Sequence, residues 1–157
     1  MPKFDYEEEI SASWETVWGI VSDPDTWPQW FPEIESMSNF TGLGEGGTFN
    51  YQYQGMQGEG KITALRTNRE TKEIEVATDL RNNRAWHWFR VGPKKGFMGA
   101  GGNGASWLNY HMEYSAAIPI LGEIVEHGND ADEKSVRDTV YKVKFIAEGK
   151  GSGSPGV

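Results

Sequence analysis

The chain has 157 residues, with 15 Lys plus Arg against 23 Asp plus Glu and a formal net charge of −8; that length suits a single domain, and the charge excludes nucleic acid, whose binding needs a basic face. Cysteine is absent, which excludes disulfides, a thiolate nucleophile and thiolate metal sites and makes a reducing, cytoplasmic setting the expectation. Aromatic residues make up 13% of a chain only 37% hydrophobic, seven of them tryptophan, and large rings on a thin aliphatic background suit a lined cavity as well as a packed core.

The opening MPKFDYEEEI carries no secretory signal pattern, and no window approaches the ~20 consecutive apolar residues of a membrane span. Phe4, Tyr6, Glu8 and Ile10 alternate with Lys3, Asp5, Glu7 and Glu9, the period of a half-buried strand. Ser11 or Ser13 then caps a helix on which Trp14, Val17, Trp18 and Val21 share one face. The next stretch, DPDTWPQWFPEI, packs two tryptophans and a phenylalanine among three prolines. The prolines forbid a long regular element, so a short helix or turn is expected, forming a wall or lid beside an apolar cavity.

Six strands follow, at about 34 to 41, 47 to 54, 59 to 67, 72 to 80, 84 to 92 and 105 to 116, with breaks at GLGEGG, GMQGEG, NRETK and RNN. Phe49, Tyr51 and Tyr53 form one dry face, and Ile74, Val76, Thr78 and Leu80 another, so the sheet is expected to be antiparallel. Beyond Pro119 helical spacing returns at Leu121, Ile124 and Val125. Asp130 and Glu133 resemble a capping box, and Val136, Val140, Val143 and Ala147 lie on one helical face. One long helix, kinked at Gly128, or two abutting ones satisfy this pattern. Residues 1–149 form a single domain in this reading, and 150–157, GKGSGSPGV less its first residues, a flexible tail.

The result is an α+β layout: a curved seven-stranded antiparallel sheet wrapped around a long C-terminal helix, with two short helices between strands 1 and 2. The stretch ISASWETVWGIVSDPDTWPQWFPEIESMS, Ile10 to Ser38, resembles the opening signature of the START-like (helix-grip, SRPBCC) superfamily. The similarity is greatest to its polyketide cyclase/dehydrase and lipid-transport group. The close VYKVKFIAEG, Val140 to Gly149, is similar to the end of that family's last helix. The resemblance implies a deep, largely apolar pocket between sheet and C-terminal helix. It supplies no catalytic set to carry over.

GAGGNG, Gly99 to Gly104, matches a dinucleotide fingerprint in letters only, because a strand rather than a helix follows it. It is expected as a hairpin loop, with Phe97 and Met98 as exposed apolar tips. His87 and His111 can approach each other if the last two strands form a hairpin, and Glu113 shares a face with His111; His127 lies apart. Without tight ligand spacing no metal is expected. His87 alternates with Ala85, Phe89 and Val91 and is expected to face inward. Glu8, on the inward row of strand 1, would carry a raised pKa in an apolar cavity. Arg84, Trp86, Trp88 and Arg90 share the other face of their strand, facing either a flat ligand or a second subunit.

The expected ligand-binding residues are Trp30, Phe49, Tyr51, Tyr53, His87, Phe89, Tyr110, Met112 and Tyr114, and Glu8 and His87 are the weak catalytic candidates. The leading expectation is a noncatalytic carrier of a small hydrophobic, aromatic or lipid-like molecule, with no cofactor, no membrane span and possible assembly as a homodimer. A cyclase/dehydratase-type enzyme using the same cavity, and a protein-binding domain like the superfamily's chaperone-activator branch, are the alternatives.

Overall fold

A computed structural model describes residues 3–81, 83–95, 101–115 and 122–149, with side chains described throughout except at 95, 101–103 and 122–132. The elements run β1 Lys3–Ile10, α1 Trp14–Val21, a 3-10 turn Pro24–Thr26, α2 Trp27–Trp30, β2 Ser36–Ser38, β3 Thr48–Tyr53, β4 Met56–Asn68, β5 Thr71–Leu80, β6 Asn83–Lys95, β7 Gly101–Ser115 and α3 Gly122–Ala147. All seven strands join one antiparallel sheet in the order β1-β7-β6-β5-β4-β3-β2. The α+β helix-grip layout is therefore as expected. Register shifts between Ile62 and Ala64 in β4 and between Pro93 and Lys95 in β6 bend long strands, as bulges do.

Each element follows from local chemistry. Ser13 caps α1, its side chain accepting from the Thr16 amide at 3.2 Å, and α1 turns Val17 and Val21 into the core. α3 is one 26-residue helix, so the chain passes Gly128 without splitting into two helices. Its Val136, Val140 and Val143 are buried against the sheet side. The positions Leu121, Ile124, Val125, His127 and Asp130, together with Phe97, Met98 and the tail, lie outside the described residues or side chains.

One boundary is corrected. GMQGEG is not a break: β4 begins at Met56 and carries Gly58 and Gly60 within it. Their register partners on β3 are Tyr51 and Phe49. A Cβ on Gly58 would lie 2.4 Å from the Tyr51 ring and one on Gly60 2.1 Å from the Phe49 ring. The glycines are there because two rings lie flat across them, not because the strand ends.

DPDTWPQWFPEI is wall and core rather than lid, with Phe31, Pro32 and Glu33 bordering a cavity. Trp27, Trp30 and Phe31 each retain 1% exposure and Ile34 none, so these rings are core rather than lid. Their burial is possible because both indole N–H groups are satisfied locally. Trp27 Nε1 donates to the Val21 carbonyl at 2.8 Å, and Trp30 Nε1 to Thr26 Oγ1 at 2.9 Å. Phe31 stands at the centre, with ring centroids 5.5 Å from Trp30, 5.5 Å from Phe89, 4.9 Å from His87 and 6.4 Å from Tyr110. Much of the space that a sheet wrapped around a helix leaves open is thus filled by the protein's own aromatics.

Candidate functional site

Among the described residues, a half-open cavity of about 230 Å³ lies between β5, β6 and β7, the Phe31–Glu33 segment, Tyr53 and the Ser135 turn of α3. Its walls are mostly apolar: Phe31, Pro32, Tyr53, Leu80, Ala85, Tyr110, Met112 and Tyr114. Glu33, Asn83 and Arg84 supply the polar groups. A larger groove of about 650 Å³ lies along the sheet, bordered by Asn50, Glu59, Lys61, Asp79, Arg84 and Trp86. Thr78 and Phe49, both buried, border it as well; the inner cavity differs in having Glu33 and the buried Asn83 Oδ1 in its lining.

Of these, Glu33 reaches His87, which is fully buried. Its Nε2 lies 3.1 Å from Glu33 Oε2 and 3.1 Å from Thr78 Oγ1, and its Nδ1 lies 2.6 Å from the Tyr110 hydroxyl. Thr78 donates to the other Glu33 oxygen at 3.1 Å. With Thr78 donating to Glu33, the consistent arrangement has His87 Nε2–H pointing to Glu33 and the Tyr110 O–H donated to Nδ1. The sheet register produces this line. His87 stands two residues beyond Ala85, the partner of Thr78, and two before Phe89, the partner of Tyr110, so all three side chains reach the same face as diagonal neighbours.

Burial alone would raise the Glu33 carboxyl, but the adjacent His87 imidazole and hydrogen bonds from His87 and Thr78 outweigh it and hold the group below the ordinary carboxylate range. The Tyr51 hydroxyl, buried and close to the Glu33 charge, is pushed well above its usual value.

The expected site residues divide into two groups. Tyr53, Tyr110, Met112 and Tyr114 border the cavity. Trp30, Phe49, Tyr51 and Phe89 do not border it: each is packed within the ring cluster around Trp27 and Phe31. His87 also stands behind the wall, reaching the cavity through Glu33 and Tyr110.

Glu8 is corrected in both place and charge. It lies at the seam between β1 and α3, where Tyr6 donates to it at 2.8 Å and Lys144 Nζ stands 3.8 Å away. The Tyr6 hydrogen bond, against some burial and with Lys144 assisting, holds its carboxyl below the usual range instead of raising it. His87 and His111 do not approach each other. His111 stands opposite Trp88 on the other face of the sheet, between Asp5 at 3.1 Å and Glu113 at 2.8 Å.

Ala85, His87 and Phe89 are buried inward, leaving Trp86 and Trp88 on the outer face. There Trp88 donates from Nε1 to Glu75, and Arg66 and Arg90 both hold Glu73 at 2.6 Å. Sequence reasoning missed Glu33, Thr78 as its partner, and Asn83.

The family model described as polyketide cyclase / dehydrase and lipid transport matches residues 1–138. No curated protein matches the sequence. Among solved structures, a hypothetical protein from Helicobacter pylori superposes with a TM-score of 0.73 at 8% identity, over 93% of this chain and 88% of that one. Norcoclaurine synthase from Thalictrum flavum, a point mutant in complex with a transition-state analogue, gives 0.62 at 14% identity over 96% of each chain. A START superfamily protein from Mycobacterium smegmatis gives 0.52 at 23% identity, over 86% of this chain and 97% of that one. At these identities the likeness is one of fold.

Proposed function

The chain belongs to the polyketide cyclase / dehydrase and lipid-transport family of the START-like superfamily, and from that membership we propose that it binds one small, ring-bearing hydrophobic molecule in the inner cavity. The observation that carries this reading is the convergence of Glu33, Asn83 and Tyr110 on an otherwise apolar volume of about 230 Å³. That volume is below the ~300 Å³ at which sites for drug-sized ligands begin, so a single ring suits it better than an extended lipid. No helix among the described residues is long and apolar enough to cross a membrane.

The test is to fill the cavity from its own wall. Ala85→Phe should abolish binding of toluene, measured by calorimetry, while a variant on the outer face, Trp86→Phe, retains it. Toluene binding that survives Ala85→Phe contradicts the reading.

A second reading, an enzyme of the cyclase/dehydratase kind, is favoured by the hydroxyl–imidazole–carboxylate line Tyr110–His87–Glu33. Such a line lets a cavity-facing hydroxyl exchange a proton with a ligand while the imidazole takes up the difference. Under it, Tyr110→Phe should lose turnover of a small polyketide-like substrate while keeping its binding. The single-domain extent 1–149, the cytoplasmic setting and a homodimer through the outer Trp86 and Trp88 face are carried as further proposals, the last measurable by light scattering.

A further inference from the structure

The carboxylate on the cavity is Glu33, and the uncharged polar side chains of the lining, Tyr53, Asn83, Tyr110, Tyr114 and Ser135, can accept a hydrogen bond as well as donate one. Glu33 turns its carboxylate partly outward, with 27% of its side chain exposed, and its two oxygens accept from Thr78 and His87 while each keeps lone-pair capacity. Asn83 Oδ1 is buried with no hydrogen-bond partner among the described residues, and Asn83 borders the same cavity. Tyr110, giving its proton to His87, presents an oxygen there as well. The bordering cation, Arg84, lies 3.3 Å from Asp79 and is 67% exposed, so it sits at the mouth rather than inside.

A ligand carboxylate entering this corner would meet the Glu33 carboxylate and lose its hydration without replacement. A donor meets the opposite situation, and a cationic donor the most favourable one. The Phe31 and Tyr53 rings on the wall offer faces to a positive charge, and the net charge of −8 raises the local concentration of cations.

We propose that the cavity selects a small ring-bearing primary amine, its ammonium group held between Glu33 and Asn83 and its ring against Phe31, Tyr53 and Met112. This rests on the cavity reading above and narrows it from any small hydrophobic molecule to a cationic one.

Three near-isosteric probes separate the possibilities: benzylamine, benzyl alcohol and benzoate, titrated by calorimetry at neutral pH into the native chain and into Glu33→Gln. Benzylamine should bind about tenfold more tightly than benzyl alcohol, with benzoate weakest. Glu33→Gln should weaken benzylamine more than benzyl alcohol and so remove the tenfold preference between them. Benzyl alcohol or benzoate binding as tightly as benzylamine overturns the amine and leaves the cavity reading standing. Failure of all three to bind the native chain overturns both. Should Glu33→Gln not fold, the ranking of the three probes on the native chain decides the question by itself.

Discussion

Glu33 Oε2 lies 3.1 Å from His87 Nε2, and through that contact the proline-bounded segment after α2 is tied to the middle of the sheet. The contact joins two parts of the chain that share no local pattern. It also connects a cavity-facing carboxylate with a fully buried imidazole, and its removal from either side should be felt throughout the core.

His87→Leu removes the partner of both Glu33 and Tyr110, leaving a carboxylate without its companion. Losing a hydrogen bond to a charged group in this way costs about 1.5–3 kcal/mol, read as a lower midpoint in denaturant unfolding. A double-mutant cycle with Glu33→Gln should give a coupling of about 0.5–3 kcal/mol. Strict additivity of the two changes would show that the contact is geometric only.

The Glu33 carboxyl is held below its ordinary range in the folded chain. Its contribution is therefore complete above the unfolded value of about 4.3 and is lost as pH falls through the lower folded value. Stability of the native chain should drop more steeply on acidification than that of Glu33→Gln, and the gap between the two should narrow below about pH 4.3. Parallel pH profiles from urea unfolding would contradict this.

Phe31→Ala should cost about 3–5 kcal/mol, the range for deleting a buried phenylalanine ring. Because Phe31 stands between the cavity and the Trp30, Phe89 and His87 rings, the same change should admit a bicyclic probe such as 2-naphthol that the native chain excludes. Calorimetry on both proteins checks the gain, and thermal unfolding checks the loss.

Gly60→Ala places a methyl 2.1 Å from the Phe49 ring and should destabilise by about 1–3 kcal/mol through overpacking. Gly19, inside α1, meets nothing within 4 Å, so Gly19→Ala should stabilise by about 0.5–1 kcal/mol through helix propensity. Opposite shifts in melting temperature from two Gly→Ala changes are the expected outcome; equal shifts would remove the close-approach argument.

The fold was legible because it depends on periodicity. Alternation at Phe49, Tyr51 and Tyr53 and at Ile74, Val76 and Thr78, and the helical spacing of Val136, Val140 and Val143, mark which face is dry without reference to tertiary contacts. The site was legible only in part. Tyr110 and Met112 were identified by the same alternation, but alternation separates inward from outward and not cavity wall from packed core. Trp30 and Phe89 are buried like Tyr110 but packed against Phe31 away from the cavity, and Phe49 is packed against Trp27 beside the larger groove. Glu33 left no pattern at all, since its role comes from strand register far along the chain. Glu8 showed the converse: a carboxylate on an inward row, but beside Tyr6 and Lys144 at the helix seam.

The most direct measurement is the methyl resonance of Met112, on the cavity wall, compared with that of Met37, beside Pro24 and Phe40 away from it, during titration with benzyl alcohol. Binding in the inner cavity predicts a saturable shift at Met112, with Met37 unmoved. An unmoved Met112 at saturating probe, or equal shifts at both methionines, would contradict the cavity as the binding site.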